Sequence, residues 1–331
     1  MKTLLNKLLE SQTLTHSESH ELMHGIAGGK LNESQMAAVL AAFIMRSISL
    51  DELMGFRTAL LELAIRPQLN NGDIIDLCGT GGDGKNTFNI STISAFVVAA
   101  AGIPVAKHGN YGVSSISGSS NVLEHLGYNF SNEEGKLKKE LDATGITILH
   151  APLFHPALKA VGGVRKQLGI KSFFNILGPL VNPATPKYQS SGVFNLETGR
   201  IYSYLLQKEQ KEFRVVHSLD GYDEVSLTDD TKVFSPKGEY LLTLEDFQLP
   251  GNTQESLHGG QSIEDAAEIF MNVLLNKCTA QQLHAVAANS AMAIQCYKKN
   301  ISMAKAVEIA LETIVSQKAL ETFHKLIKLQ K

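Results

Sequence analysis

The 331-residue chain has no tryptophan and only three cysteines, Cys78, Cys278 and Cys296, set far apart. So sparse a set excludes a disulfide framework or a Cys-rich zinc centre, fits a reducing compartment, and leaves the thiols to be read as small buried hydrophobes. Neither sign of charge is in excess: 30 Lys and Arg face 33 Asp and Glu, a net −3 with neutral histidine. A near-neutral chain carries no global basic footprint for nucleic acid or an acidic membrane, so any anion it binds must be held locally. Long hydrophobic runs are missing as well. The first apolar residues are broken by Asn6, Lys7 and Glu10 before a signal-type core forms, and the most apolar stretch, residues 90–101, is interrupted by Ser91, Thr92 and Ser94. Neither secretion nor a membrane span is expected, and the expected location is the cytoplasm. The absence of repeats, low-complexity tracts and long linkers argues against a modular binding protein.

What is present is a chain 44% hydrophobic, long enough for about two domains. Three helix starts are written as capping boxes near the N-terminus: Thr15 with Glu18, Asn32 with Gln35, and Ser49 with Glu52. Apolar residues at helical spacing follow each, including Leu22, Met23 and Ile26, then Met36, Val39, Leu40, Phe43 and Ile44, then Leu53, Phe56 and Leu60. From Asp73 the pattern changes to strand, glycine-rich loop, helix, strand: residues 74–78, 79–84, 91–101 and 105–108. Further strands are expected at 146–149, 190–194 and 213–217, helices at 156–168 and 199–210, a hairpin around Lys237 and Gly238, and helices from Ser262 onward. The expected fold is α/β: a small all-α N-terminal domain, residues 1–70, and a larger α/β domain, residues 71–331, with a mostly parallel central sheet flanked by helices.

Three familiar motifs fail on inspection. His20-Glu21-Leu22-Met23-His24 matches H-E-x-x-H, but Lys30 stands where the longer zinc-protease form needs its third histidine, so a solvated histidine face is expected instead. Gly79-Thr80-Gly81-Gly82-Asp83-Gly84 matches the dinucleotide fingerprint, yet the next strand ends in Lys107-His108 where a ribose-binding acid belongs. The continuation Gly84-Lys85-Asn86 puts an amide at the Mg²⁺-binding hydroxyl of a nucleotide-triphosphate loop.

What remains is more specific than these fragments. Residues 76–92 pack glycines, hydroxyls and amides between a strand and a helix N-terminus, which makes an anion cradle of backbone N–H groups. A second Gly/Ser loop, residues 107–119, follows the neighbouring strand. Two cradles at the C-terminal ends of adjacent parallel strands suggest a polyphosphorylated ligand in one crevice. Asp220 to Glu224 follows a later strand and offers hard oxygen ligands for Mg²⁺ bridging to phosphate.

Those blocks, with Val164-Arg165 and the run from Phe174 to Leu180, make the chain resemble the anthranilate phosphoribosyltransferase family of tryptophan biosynthesis, over essentially its whole length. The resemblance implies that Gly79, Gly82, Asp83, Thr87, Asn89, Ile90, Ser91 and Thr92 contact phosphoribosyl pyrophosphate. Lys107, His108, Gly109, Asn110, Tyr111, Gly112, Val113, Ser114, Ser115 and Ser119 would complete that site. Ser91, Asp223 and Glu224 would hold Mg²⁺, as two ions, and Gly79, Asn110 and Arg165 would contact anthranilate. Arg165 offers a planar fork suited to an aromatic carboxylate. Lys107, His108 and Arg165 are the implied catalytic residues; His108 is a candidate proton acceptor or a structural histidine bonded to its loop. The resemblance also implies helices near 156–174 joining the first domain, a hinge letting Arg165 close on the donor, and a homodimer through the α domain using the apolar helix around Met36 to Ile44. One departure stands out: members commonly carry Arg after Lys-His-Gly-Asn, where this chain has Tyr111. The rival reading within the fold is a pyrimidine nucleoside phosphorylase, whose loop reads Lys-His-Ser where this chain has Lys107-His108-Gly109. A nucleic-acid-binding paralogue should be basic and should lack the metal carboxylates; this chain is neither.

Overall fold

The computed structural model describes residues 1–69, 73–112, 116–169 and 172–330. All three capping boxes close: Thr15, Asn32 and Ser49 each accept a hydrogen bond from the third helical N–H, and Glu18, Gln35 and Glu52 reach back. They start helices α2 (His16–Ala27), α3 (Glu33–Met45) and α4 (Leu50–Glu62). Before them lies α1 (Lys2–Leu9), which no cap signals in the sequence; it forms because Leu4 and Leu8 bury one turn apart. Contacts divide the described chain into two compact units, one of residues 1–66 with 151–183 and one of residues 67–150 with 184–331.

The first unit is helical. Leu22, Met23, Leu53, Phe56 and Leu60 are fully buried. The helices α2 and α4 approach closely because Gly55 has no side chain: a Cβ there would stand 2.3 Å from the His16 carbonyl oxygen. Phe173 stacks on Phe56 at 4.7 Å and meets Phe43 at 4.8 Å, tying the returning segment to the N-terminal helices. That segment is finer-grained than the single helix expected over 156–168. It contains helix Ala151–Phe154, a 3₁₀ turn Pro156–Leu158, helix Lys159–Leu168 and a short helix Phe173–Leu177. Met36, Val39, Leu40 and Phe43 of α3 are buried inside this unit, so the face expected to serve a partner subunit is largely used at home. Of its large apolar side chains only Ile44 and Met45, at its C-terminal end, are exposed.

The second unit is built on a seven-stranded sheet of order β3-β2-β1-β4-β5-β6-β7. Its strands are β1 (Ile75–Leu77), β2 (Val105–Gly109), β3 (Ile146–His150), β4 (Tyr188–Gly192), β5 (Glu212–Ser218), β6 (Thr231–Ser235) and β7 (Gly238–Leu242). β1 to β5 pair in parallel; β6 and β7 form the hairpin and pair antiparallel. β1, β2 and β3 are buried at every position, as strands covered on both faces by helices must be. Between β1 and β2 runs α5 (Ile90–Ala100), whose Phe96 meets Phe270 and Phe323 edge-on at 5.8 and 5.4 Å. Among the described residues no helix is long and apolar enough to cross a membrane.

Candidate active site

The chain leaves β1 for β2 on one side and later returns to β4 on the other, so the strand order reverses between β1 and β4. A crevice at the carboxyl ends of the strands is the expected ligand place at such a switch point. The loop after β1 lies there. Gly81, Gly82 and Gly84 have φ of +61°, +81° and +79°, a region that costs other residues strain. Space at Gly79 is tight: a Cβ would stand 3.2 Å from Asp223 Oδ2. Gly192, at the end of β4, is tighter still, because its Cβ would fall 1.4 Å from the Asp223 carbonyl oxygen.

Those close approaches bring the loop after β5 against the glycine loop. The Gly81 N–H donates to Asp223 Oδ2 at 2.6 Å, the Asp223 N–H to Asp83 Oδ2 at 3.4 Å, and the Ser91 N–H to Glu224 Oε1 at 3.3 Å. Glu224 thus reaches the first turn of α5, while Asp83 and Asp223 meet beside the glycine loop. Burial, reinforced by the charges of Asp83 and Glu224, holds the Asp223 carboxyl well above the usual range. Burial likewise pushes Glu224 up to about 7, against the pull of Lys107 and of hydrogen bonds from Ser91. The site therefore concentrates more buried negative charge than its own residues neutralise, and all its donors are hard oxygens suited to Mg²⁺. Unlike α2 to α4, helix α5 has no side-chain cap. Asn89 at its N-cap donates instead to the Ser117 carbonyl at 3.3 Å, and its buried Oδ1 has no partner. Ile90 and Thr92 are buried; Thr87 makes an isolated bridge with His258.

The second loop starts on β2. Lys107 is buried and its ammonium donates to the Leu77 carbonyl at the end of β1. His108 is also buried, and its backbone N–H donates to Asp76 Oδ1 at 3.0 Å. The two-residue period of a strand sends Lys107 and His108 to opposite faces. Beyond the strand, the Asn110 carbonyl accepts from the Ser120 N–H at 3.1 Å and the Ser119 hydroxyl at 3.3 Å. Asn121 Oδ1 gathers the N–H groups of Gly112 and Gly118 at 2.9 and 3.0 Å, which closes the loop on itself. Gly109 has no room for a Cβ, which would stand 2.6 Å from the Ser119 hydroxyl. Tyr111 is partly exposed, with its hydroxyl 3.3 Å from both Glu124 oxygens and its ring edge-on to His150 at 4.8 Å. Val113, Ser114 and Ser115 lie outside the described residues.

Arg165 belongs to the helical unit, on helix Lys159–Leu168. Its guanidinium lies over the Phe174 ring at 5.4 Å and donates to Asn175 Oδ1 at 3.4 Å. Burial lowers its pKa.

Residues with no assigned part in the sequence reading complete the frame. Asp76 braces β2 through His108, and Asn289 grips the backbone of Val225 from both sides, accepting its N–H and donating to its carbonyl at 2.9 Å each. The only signal for Asn289 is an amide amid the alanine-rich middle of helix Ala280–Tyr297.

This arrangement, a helical bundle with an α/β unit carrying two glycine loops and an acidic turn, defines a glycosyl transferase of two-part design. Residues 2–64 match the profile of the glycosyl transferase family helical bundle domain, and residues 71–320 match that family's a/b domain. An anthranilate phosphoribosyltransferase from Flavobacterium johnsoniae is 52% identical over 329 residues, 99% of each chain. The crystal structure of the Thermus thermophilus enzyme of that name superposes with a TM-score of 0.92 at 31% identity, covering 99% of both chains. The Saccharomyces cerevisiae enzyme, solved in complex with PRPP and Mg, has a TM-score of 0.91 at 24% identity, over 99% of this chain and 97% of that one, a likeness of fold. The chain belongs to the anthranilate phosphoribosyltransferase family.

Proposed function

We propose that the chain transfers the phosphoribosyl group of 5-phosphoribosyl 1-pyrophosphate to the amine of anthranilate, giving N-(5-phosphoribosyl)anthranilate and pyrophosphate, in the tryptophan pathway. The observation that carries this reading is the convergence of Asp83, Asp223 and Glu224 on the glycine loop and the uncapped first turn of α5. A bare anion cradle would suit many phosphates. One that also collects uncompensated carboxylates suits a diphosphate arriving with a divalent cation, and the yeast relative's complex with PRPP and Mg supports that choice. Asp223 and Glu224, with the Ser91 hydroxyl, are the residues that would hold Mg²⁺, as two ions in the fullest reading. Bound there, the cation supplies positive charge to the departing pyrophosphate.

The chain's own residues do the rest. In this reading Gly79, Gly82, Asp83, Thr87 and residues 89–92 cradle the diphosphate and ribose from one side, and residues 107–115 with Ser119 from the other. Lys107, buried among acids, adds a fixed charge where the leaving group develops its own. The anthranilate nitrogen attacks C1 of the ribose, the C1–N bond forms, and the C1–O bond breaks with its electron pair going to pyrophosphate. An aryl amine is neutral at pH 7, so its lost proton needs no strong base and orientation carries most of the rate. His108, on the opposite face of β2 from Lys107, is assigned to bracing its loop. Arg165, with Asn110 and Gly79, is assigned to anthranilate, its fork pairing with the carboxylate. A homodimer through the helical unit and a cytoplasmic location belong to the same reading; light scattering tests the first, with Ile44 and Met45 as the exposed apolar residues to change.

The test is loss of anthranilate fluorescence with purified protein, phosphoribosyl pyrophosphate and Mg²⁺, run beside pyrimidine nucleosides plus phosphate. Turnover in the first assay alone supports the proposal; turnover in the second alone transfers the site to a nucleoside phosphorylase. Arg165→Lys keeps the charge and loses the fork, and should raise the KM for anthranilate on the order of 10-fold with little change for the ribosyl donor.

A further inference from the structure

The histidines set aside in the sequence do not stay alone in the structure. His20 and His24 lie one helical turn apart on α2, and α4 runs beside that helix in the same direction: Gly55 fits against His16 and Ser19, Thr58 meets His16, and Glu62 arrives at His20 and His24. Glu62 Oε2 lies 2.7 Å from His20 Nε2 and 3.2 Å from His24 Nε2, and the three ligand atoms fall within 4.8 Å of one another. It is the one such His/Cys/Asp/Glu group among the described residues. The third ligand that the H-E-x-x-H spacing lacked thus comes from a different helix.

We propose that His20, His24 and Glu62 form a binding site for one divalent transition-metal ion, zinc(II) foremost, on the helical unit. Two imidazoles and a carboxylate are a borderline donor set that suits Zn²⁺, Co²⁺, Ni²⁺ or Cu²⁺ and discriminates against Mg²⁺, which takes oxygen ligands. Metal–nitrogen and metal–oxygen bonds of about 2.0–2.2 Å place ligand atoms roughly 3 Å apart, so the observed spacing needs only side-chain rotation. All three side chains are partly exposed, which gives an ion a path in and leaves the fourth position to water. The frame is already rigid: the fully buried Leu22 and Met23 anchor α2 from its other side, and Gly55 fixes its distance from α4. His16 stacks beside His20 at 6.5 Å and bonds to the Thr58 hydroxyl at 3.3 Å, which steadies the row. The ion would clip the end of α4 to α2. None of these residues belongs to the phosphoribosyl site, so the inference stands apart from the proposed reaction.

The test uses the full chain, stripped with chelator and titrated calorimetrically with Zn²⁺ at pH 7.5 without Mg²⁺ or substrates. Because the acidic turn could also take Zn²⁺, the comparison is among wild type, His20→Ala/His24→Ala and Asp223→Asn/Glu224→Gln. The double-histidine variant should lose one equivalent that the double-carboxylate variant keeps. Glu62→Gln should bind that equivalent about 10- to 100-fold more weakly. Co²⁺ should give visible bands of a four- or five-coordinate nitrogen and oxygen site in the wild type and not in the histidine variant. Circular dichroism confirms that the variants remain folded. Identical Zn²⁺ stoichiometry and affinity in wild type and the histidine variant, or no equivalent left once the acidic turn is neutralised, overturns the proposal.

Discussion

Two parts of the molecule bury carboxylates and treat them in opposite ways. In the helical unit Glu52 is wholly buried, yet Arg46 donates to its two oxygens at 2.6 and 3.0 Å and the N–H groups of Leu14 and Ser49 at 2.8 and 2.9 Å. Burial alone would raise its pKa; those four donors outweigh it and hold the carboxyl below the usual range. In the α/β unit, Asp223 and Glu224 share a pocket with Asp83 and have Lys107 as the nearby cation, and their pKa values rise. The first arrangement is complete and holds a fold together. The second is complete only when something positive joins it, and such incompleteness marks a binding site.

The largest test of that contrast removes the incomplete charge. Asp223→Asn/Glu224→Gln should lower phosphoribosyl transfer on the order of 10³-fold, since the leaving group loses its cation, while the unliganded protein should be no less stable at pH 7.5. Steady-state kinetics and urea melts on one preparation read both. Next, Glu52→Gln removes one partner of a satisfied pair and should destabilise the fold by about 3 kcal/mol without changing the KM of either substrate. If the two double readouts came out alike, the distinction between the sites would collapse.

Acidity gives the third test, with opposite signs. Glu224 has a folded pKa of about 7 against an ordinary value of 4.5, so its contribution to stability is present below 4.5 and lost as pH rises through 7. Glu52 is shifted down, so its contribution is present above 4.5 and lost as pH falls through its folded value. Unfolding free energies from urea melts between pH 3 and 8 should therefore flatten on the alkaline side in Glu224→Gln, by on the order of 2–3 kcal/mol, and on the acid side, below pH 4.5, in Glu52→Gln. The smallest effect is expected at Tyr111→Phe. Its long hydrogen bonds to Glu124 lie at the surface, and losing them should change stability by less than about 0.5 kcal/mol.

Much of the first unit was legible because its signals are local. A capping box spans four residues, so Thr15, Asn32 and Ser49 announced their helices, whereas α1 depends on packing and was not read, and the segment after Ala151 was read as helical over 156–168 without its breaks. In the α/β unit the alternation of strand and helix marked the parallel strands to within two residues at most ends. The glycine loop was conspicuous because left-handed backbone demands glycine. Asn289 and Gly192 were not, since one amide among a helix's polar residues and a glycine ending a strand take their meaning from the acidic turn they hold. His20 and His24 were read as solvated, and the approach of Glu62 from 38 residues away changes that reading.

By itself, the sequence determined the fold class, the two glycine loops and the presence of an Asp-Glu pair, because each rests on neighbours along the chain. The tertiary structure alone decided which acids share a pocket, that Lys107 stands among them, and that a carboxylate closes over a histidine pair. Charges acquire their pKa, and side chains their partners, from groups that are distant in sequence and a few ångströms apart in space.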